Sequence, residues 1–160
     1  MKNINIVFAG LGGQGVLRAS DITAEAAFLT DFDVKKAEVH GMSQRGGSVS
    51  SDVRFGEGIK SPMIPAGTAD YLVLLDASQK EPNALSCSES TVIIDPGVIK
   101  IETLPNPKGL NVALLGYLSK MLPMISEENW QKALENNFPE KLRESNTIAF
   151  NIGREANAQS

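Results

Sequence analysis

The sequence predicts an α/β domain, and three observations predict it. An apolar run at residues 4–9 passes through Gly10-Leu11-Gly12-Gly13-Gln14-Gly15 into a helical pattern that begins near Val16. Further short apolar runs at residues 71–75 and 91–94 have the length of buried strands and are bounded by Asp76 and by Asp95-Pro96-Gly97. Beyond Leu110 the apolar spacing changes to that of helices. Strands alternating with helices favour a sheet covered by helices on both faces. The expectation is therefore a three-layer α/β/α arrangement around a mostly parallel, Rossmann-like sheet, with a helical C-terminal part.

The elements follow in order. Ile4, Ile6, Val7 and Phe8 read as a central strand, and Val16, Ala19, Thr23, Ala26, Ala27 and Thr30 as one helix face whose alanines allow close approach to a sheet. A strand at residues 34–39 would complete a right-handed βαβ unit with parallel strands. Val49, Ser51, Val53 and Phe55 alternate with Ser50, Asp52 and Arg54, as in a half-exposed strand, antiparallel or near an edge. Pro62 and Pro65 keep residues 59–65 extended. Residues 78–86 read as a short helix with Pro82 near its first turn, and residues 98–101 as one more short strand. The pattern from Leu110 to Ile125 is apolar almost all round, as in a helix buried on several sides, one of which another subunit would cover; Pro123 ends it. Ser126 is the N-cap of the next helix, with Glu127 and Glu128 in its first turn and Trp130, Ala133 and Leu134 on its inner face. Pro139 opens a last helix with Leu142, Ser145, Ala149, Ile152 and Ala156 on one side.

Composition narrows the function. A chain of 160 residues is expected to form one domain over 1–160 with a real core, and its 42% apolar and 21% charged content is that of an ordinary soluble protein. Its net charge is -4, and its 15 Lys and Arg residues form no dense run, which argues against nucleic acid or an anionic membrane as partner. One cysteine (Cys87) and one histidine (His40) cannot make a Cys/His zinc site or hold an iron–sulfur cluster, and no intrachain disulfide can form. The expected location is cytoplasmic: the N-terminal apolar run is too short for a signal peptide, and no segment has the length and apolarity to span a bilayer.

The candidate site is the first glycine turn. A helix start carries unpaired N–H groups and a partial positive charge, and glycines let a phosphate approach the backbone. Gly10, Gly12, Gly13, Gln14 and Gly15 are therefore the candidate cofactor-binding residues, joined by Gln44 and Arg45 from a second glycine-rich loop, His40-Gly41-Met42-Ser43-Gln44-Arg45-Gly46-Gly47. That loop follows the end of a strand, the edge at which ligands bind in open α/β sheets. His40 and Arg45 are the only candidates for chemistry. A lone histidine after a strand is more often a structural hydrogen-bonder, and Arg45 serves equally as an ion-pair partner for another subunit. Lys35 and Lys36 are candidate phosphate partners or simple solvated charges. Asn111 is placed to cap the apolar helix.

These residues carry a family resemblance. The two glycine loops, the Glu38-Val39-His40-Gly41-Met42-Ser43-Gln44-Arg45-Gly46-Gly47-Ser48-Val49 stretch, Ser61-Pro62-Met63-Ile64-Pro65 and Ala69-Asp70 closely resemble the gamma-type subunit of 2-oxoacid:ferredoxin oxidoreductases. Within that family the chain looks most like the beta subunit of indolepyruvate:ferredoxin oxidoreductase. The resemblance implies oxidative decarboxylation of a 2-oxoacid, such as indolepyruvate or pyruvate, on thiamine diphosphate. Electrons pass through iron–sulfur clusters to ferredoxin and the acyl group goes to coenzyme A. It implies that thiamine diphosphate and the clusters sit on partner subunits, that coenzyme A is shared at the glycine-rich turn, and that this chain alone holds no cofactor. Whether the isolated chain pairs with itself is left open by the sequence; the surfaces on offer for a homodimer are the Leu110–Leu122 region and the flank of the second loop. Two other readings stand beside this one. A free-standing NAD(P)-binding dehydrogenase would use the G-x-G-x-x-G spacing with Glu38 as the ribose acid. A nucleotide-sensing module would bind its ligand without partners.

Overall fold

The computed structural model describes residues 2–40 and 47–157, and of His40 the backbone alone. Five strands, β1 (Ile4–Leu11), β2 (Asp33–His40), β3 (Ser48–Gly56), β4 (Tyr71–Leu74) and β5 (Val92–Ile94), form one sheet in the order β2-β3-β1-β4-β5. Four α-helices accompany them: α1 (Val16–Leu29), α2 (Leu110–Ser119), α3 (Glu127–Asn137) and α4 (Arg143–Glu155). The α/β class is as expected, and β1 is the central strand.

The sheet is mixed. β1 runs parallel to β4, and β4 to β5, but β3 is antiparallel to both β1 and β2. β2 therefore points the same way as β1 without touching it, because β3 has been inserted between them. This corrects the expected βαβ unit of adjacent parallel strands. The cause is the short connection after β2: only residues 41–47 separate it from β3, and so short a link returns the chain antiparallel, as a hairpin does.

Alternation along the strands sorts the two faces. Ile6, Phe8, Val53, Phe55 and Val73 join the helices in the main core, and Val7, Ala9, Leu72 and Leu74 form a smaller core on the opposite face. All four α-helices contribute to the first. The second is covered by extended chain and 3-10 turns, so that outer layer is not α-helical. Arg54 holds the covering segment, donating from Nη1 to the carbonyls of Ser61 and Met63 at 2.9 and 3.0 Å. The expected helix at 78–86 is two 3-10 turns, Ala77–Gln79 and Glu81–Ser86, and the expected strand at 98–101 gives way to turns at Pro96–Val98 and Ile101–Thr103. At Pro96–Val98 a proline follows an Asx-type start, Asp95 Oδ2 accepting from Gly97 N; at Ala77–Gln79 the Asx-type start is Asp76, accepting from Ser78 N, and in the next turn Pro82 cannot donate. β5 is an edge strand with Val92 and Ile93 partly exposed, rather than a buried one.

Every residue from Asn111 to Ser119 in α2 is buried. The neighbours come from the same chain: α4 on one side, α1 on another and the sheet beneath. The Leu110–Leu122 region is thus no free face for a second copy, which corrects that expectation. The helix also stops at Ser119, before Pro123, and Met121 and Leu122 close it with 3-10 bonds to Leu118 and Ser119. In α3 the Ser126 Oγ accepts from Asn129 N at 3.1 Å, the expected cap. Trp130 is fully buried with its ring 5.9 Å from that of Phe150. The inner face of α4 is Asn146, Ala149, Phe150 and Gly153, rotated from the expected one so that Gly153 rather than Ile152 lies against the backbone of α2.

Candidate functional site

The first glycine turn leaves the C-terminal end of the central strand and opens α1. Gly13 and Gly15 hold positive φ, 89° and 84°, the left-handed region that glycine enters at least cost. Gly15 is the N-cap of α1, and no side chain caps that helix. Gly10 lies inside β1, where a Cβ would come within 2.8 Å of Gln14 Oε1 and 2.9 Å of Val16 Cγ2. Gly12 donates its N–H to Gly47 O at 2.9 Å. That bond fastens the turn to the end of the second glycine-rich loop, so both loops leave the same sheet edge, as expected.

Gln14 shapes the turn. Its Oε1 accepts from Leu11 N at 2.7 Å, and its Nε2 donates to Asp76 Oδ2 at 2.9 Å. Asp76 follows β4 and starts the next 3-10 turn by accepting from Ser78 N. Hydrogen bonds from the Ser78 hydroxyl, from Gln14 and from the Ser78 N–H hold its carboxyl below the usual carboxylate range. Asp76 reads from sequence as an ordinary loop residue; only the parallel β1–β4 pairing brings it beside Gln14.

Among the described residues, no hydrogen bond takes up the N–H groups of Gly13, Gly15, Val16 or Leu17. Gly13 and Gly15 border a cavity of about 320 Å³ whose lining also includes Gln14, Leu75, Lys108 and Asn111. Asn111 does not cap α2. Its Nδ2 donates to Gly15 O at 3.3 Å and its Oδ1 accepts from Val112 N, which ties the start of α2 to the start of α1. Two helix N-termini thus face one cavity, with the Lys108 cation at its wall. Such a wall favours an anion.

The other candidates fall elsewhere. Lys36 pairs with Asp21 and with Glu38, which together outweigh the downward push of burial and raise its pKa. Lys36 stands opposite Val53, which stands opposite Ile6. The turn is thus the length of β1 from Ile6 to Leu11 away, roughly 17 Å at about 3.4 Å per residue. Lys35 and Lys36 are therefore not phosphate partners of the turn, and Lys108, unnoticed in the sequence, is the cation beside it. Glu38 is two strands from β1 and bonded to Lys36, so it does not stand where a dinucleotide ribose would lie in a doubly wound fold. Gln44 and Arg45 lie outside the described residues, and so does the side chain of His40, whose backbone ends β2 opposite Val49. Among the described residues no three His, Cys, Asp or Glu side chains gather as metal ligands, and no helix is long and apolar enough to cross a membrane.

Known proteins share this frame. The indolepyruvate oxidoreductase subunit IorB of Archaeoglobus fulgidus is 43% identical over 91 residues, which are 57% of this chain and 45% of that one. The chain spans about half the length of the curated relatives it matches in this way. The keto/oxoacid ferredoxin oxidoreductase gamma subunit of Geobacter sulfurreducens PCA superposes with a TM-score of 0.79 at 24% identity, covering 98% of this chain and 97% of that one. The 2-oxoglutarate:ferredoxin oxidoreductase of Magnetococcus marinus, solved with 2-oxoglutarate, coenzyme A and succinyl-CoA bound, gives a TM-score of 0.79 at 20% identity over 96% of this chain and 31% of that one. The family described as pyruvate ferredoxin/flavodoxin oxidoreductase matches residues 5–106 and 98–156. With its glycine turn, inserted antiparallel strand and C-terminal helices covered by that match, the chain belongs to the pyruvate ferredoxin/flavodoxin oxidoreductase family.

Proposed function

We propose that this chain is a gamma-type subunit, one domain over residues 1–160, of a cytoplasmic 2-oxoacid:ferredoxin oxidoreductase. It works only within the complex. Partner subunits bind thiamine diphosphate and the iron–sulfur clusters and pass electrons to ferredoxin, while this chain completes the active site and the coenzyme A site. The substrate is indolepyruvate or another aryl pyruvate, a reading supported by the 43% identity to the Archaeoglobus subunit. The observation that carries the coenzyme role is the pair of N–H groups at Gly13 and Gly15 that no described residue takes up, beside the cavity of about 320 Å³. A diphosphate laid there meets backbone donors and the positive end of α1, and Gly13 leaves open space where a side chain would stand. Gln44 and Arg45 would reach the ligand from the second loop, and His40 and Arg45 are the candidates for contact with the reacting groups.

The test is anaerobic purification of the tagged chain from its own cells. The material is assayed for thiamine diphosphate, iron, and coenzyme-A-dependent ferredoxin reduction with several 2-oxoacids. Co-purification of an iron-containing partner with activity on an aryl pyruvate is the expected result. A chain that comes down alone with a nucleotide bound would overturn it, and activity confined to 2-oxoglutarate or pyruvate would replace the substrate.

A further inference from the structure

β2 lies at one edge of the sheet and β5 at the other. β5 has three residues and runs on towards Pro96, the short kind of edge that resists further pairing. β2 has eight, contains no proline, and pairs with β3 residue for residue from Asp33 to His40 without a bulge. Its outer edge carries no further strand among the described residues. Val39, near its end, is 54% exposed. A long, regular edge of this kind is a template for another strand unless its charges oppose the pairing.

The charges of β2 oppose most pairings with its own kind and favour one. Two copies of a strand joined antiparallel about a two-fold axis set one residue opposite itself. Of the registers that pair most of β2, those centred on Lys35, Lys36 or Glu38 bring like charges together on the axis. Centring on Ala37 sets Lys36 opposite Glu38 of the second copy, and Glu38 opposite Lys36 of the second copy. Within one chain Lys36 Nζ and Glu38 Oε1 are already 2.9 Å apart on the same side of the strand. The four side chains then form a ring of alternating sign, in which each charge has two opposite neighbours. The same register lays the alkyl stem of the exposed Lys35 beside the exposed Val39 of the second copy.

We infer that the β2 edge is a docking surface for a second copy of this chain, the two strands pairing antiparallel about Ala37 into one sheet continuous across both copies. The inference stands apart from the ligand at the glycine turn.

The experiment is sedimentation velocity on the full chain over a range of concentrations, where a dimer is expected. Glu38→Lys sets lysines opposite each other and should weaken the dimer about tenfold. Lys36→Glu sets glutamates opposite each other and should do the same. Mixed, the two variants have complementary edges and should dimerise where neither does alone, a result that a folding defect in either would prevent. Ala37→Cys, with Cys87→Ser, reads the register. Residues facing each other across an antiparallel pair have Cα atoms about 4.5–5.5 Å apart, within the span of a disulfide, so oxidised glutathione should link the copies. Val39→Cys in the same background lies well out of register with its own copy and should not link. A chain that is monomeric throughout overturns the inference, and so does a dimer that neither charge variant weakens. Linkage at Val39 as fast as at Ala37, or at neither, overturns the pairing about Ala37.

Discussion

Gln14 and Asp76 are joined by a 2.9 Å hydrogen bond from amide to carboxylate, across a gap of 62 residues in sequence. The bond spans the ends of the parallel strands β1 and β4 and sets the floor of the glycine turn, because the other end of the same amide accepts from Leu11 N. Asp76→Ala should therefore loosen the turn. We expect a loss of about 1 kcal/mol in urea unfolding, the usual worth of a partly exposed hydrogen bond. Coenzyme binding should weaken as well. An unchanged midpoint and unchanged binding would mean that the turn holds its shape without this brace.

Gly13 and Gly15 share a left-handed backbone but not a neighbourhood. A Cβ at Gly15 would overlap Asn111 Nδ2, whereas one at Gly13 would meet nothing within 4 Å. Gly13→Ala should cost only the backbone strain, about 1–2 kcal/mol. Gly15→Ala adds the clash and the loss of the Asn111 bond to Gly15 O, so it should cost more. Thermal melts of the two variants side by side test the order. Equal losses would show that Asn111 moves aside freely.

Much of this was legible in the sequence for a physical reason. Strand period, glycine turn and the Ser126 cap are local signals, and each fell where it was read. The sheet order was not, because β3 pairs with β1 through a register that brings Ile4 to Phe55, and local pattern carries no information on which strand intervenes. The same limit hid Asp76 and Lys108. Each reaches the turn only by tertiary packing. Lys35 and Lys36 read as phosphate candidates because they are charged, yet the register sets Lys36 opposite Val53 in mid-strand, where it pairs with Asp21 and Glu38. The apolar surround of α2 did signal burial on several sides; what covers it is this chain's own α4.

That close covering depends on two helical glycines, which propensity alone would count as weak points. A Cβ at Gly116 would overlap the carbonyl oxygen of Phe150, and one at Gly153 would overlap that of Ala113. The two helices cross backbone to backbone. Gly116→Ala and Gly153→Ala should each cost about 3 kcal/mol, although alanine is the better helix former. The double variant should lose less than the sum, since one outward shift of α4 relieves both overlaps. Chemical denaturation of the singles and the double measures this. Additive losses would mean that the two overlaps are relieved by separate movements.

Asp52 and Asp76 should respond to pH with opposite sign. Burial pushes the Asp52 carboxyl up, with the N–H of Ile64 only partly opposing it. A raised folded value favours the protonated form, so the contribution of Asp52 is fully present below the unfolded value of about 3.9 and is lost as pH rises through the folded one. The Ser78 and Gln14 hydrogen bonds lower Asp76, so its contribution is present above about 3.9 and is lost as pH falls through its folded value. Asp52→Asn keeps an acceptor for Ile64 and removes the buried charge. It should be more stable than the parent near neutral pH, with the gain closing below about pH 4. Asp76→Asn should be less stable near neutral pH, and its deficit should close over the acid range instead. Urea midpoints measured from about pH 3 to about pH 7 separate the two. A deficit for Asp52→Asn at neutral pH would show that its charge serves the Ile64 bond more than burial opposes it, and that the segment from Ile59 to Pro65 is held to the sheet by that charge as well as by Arg54.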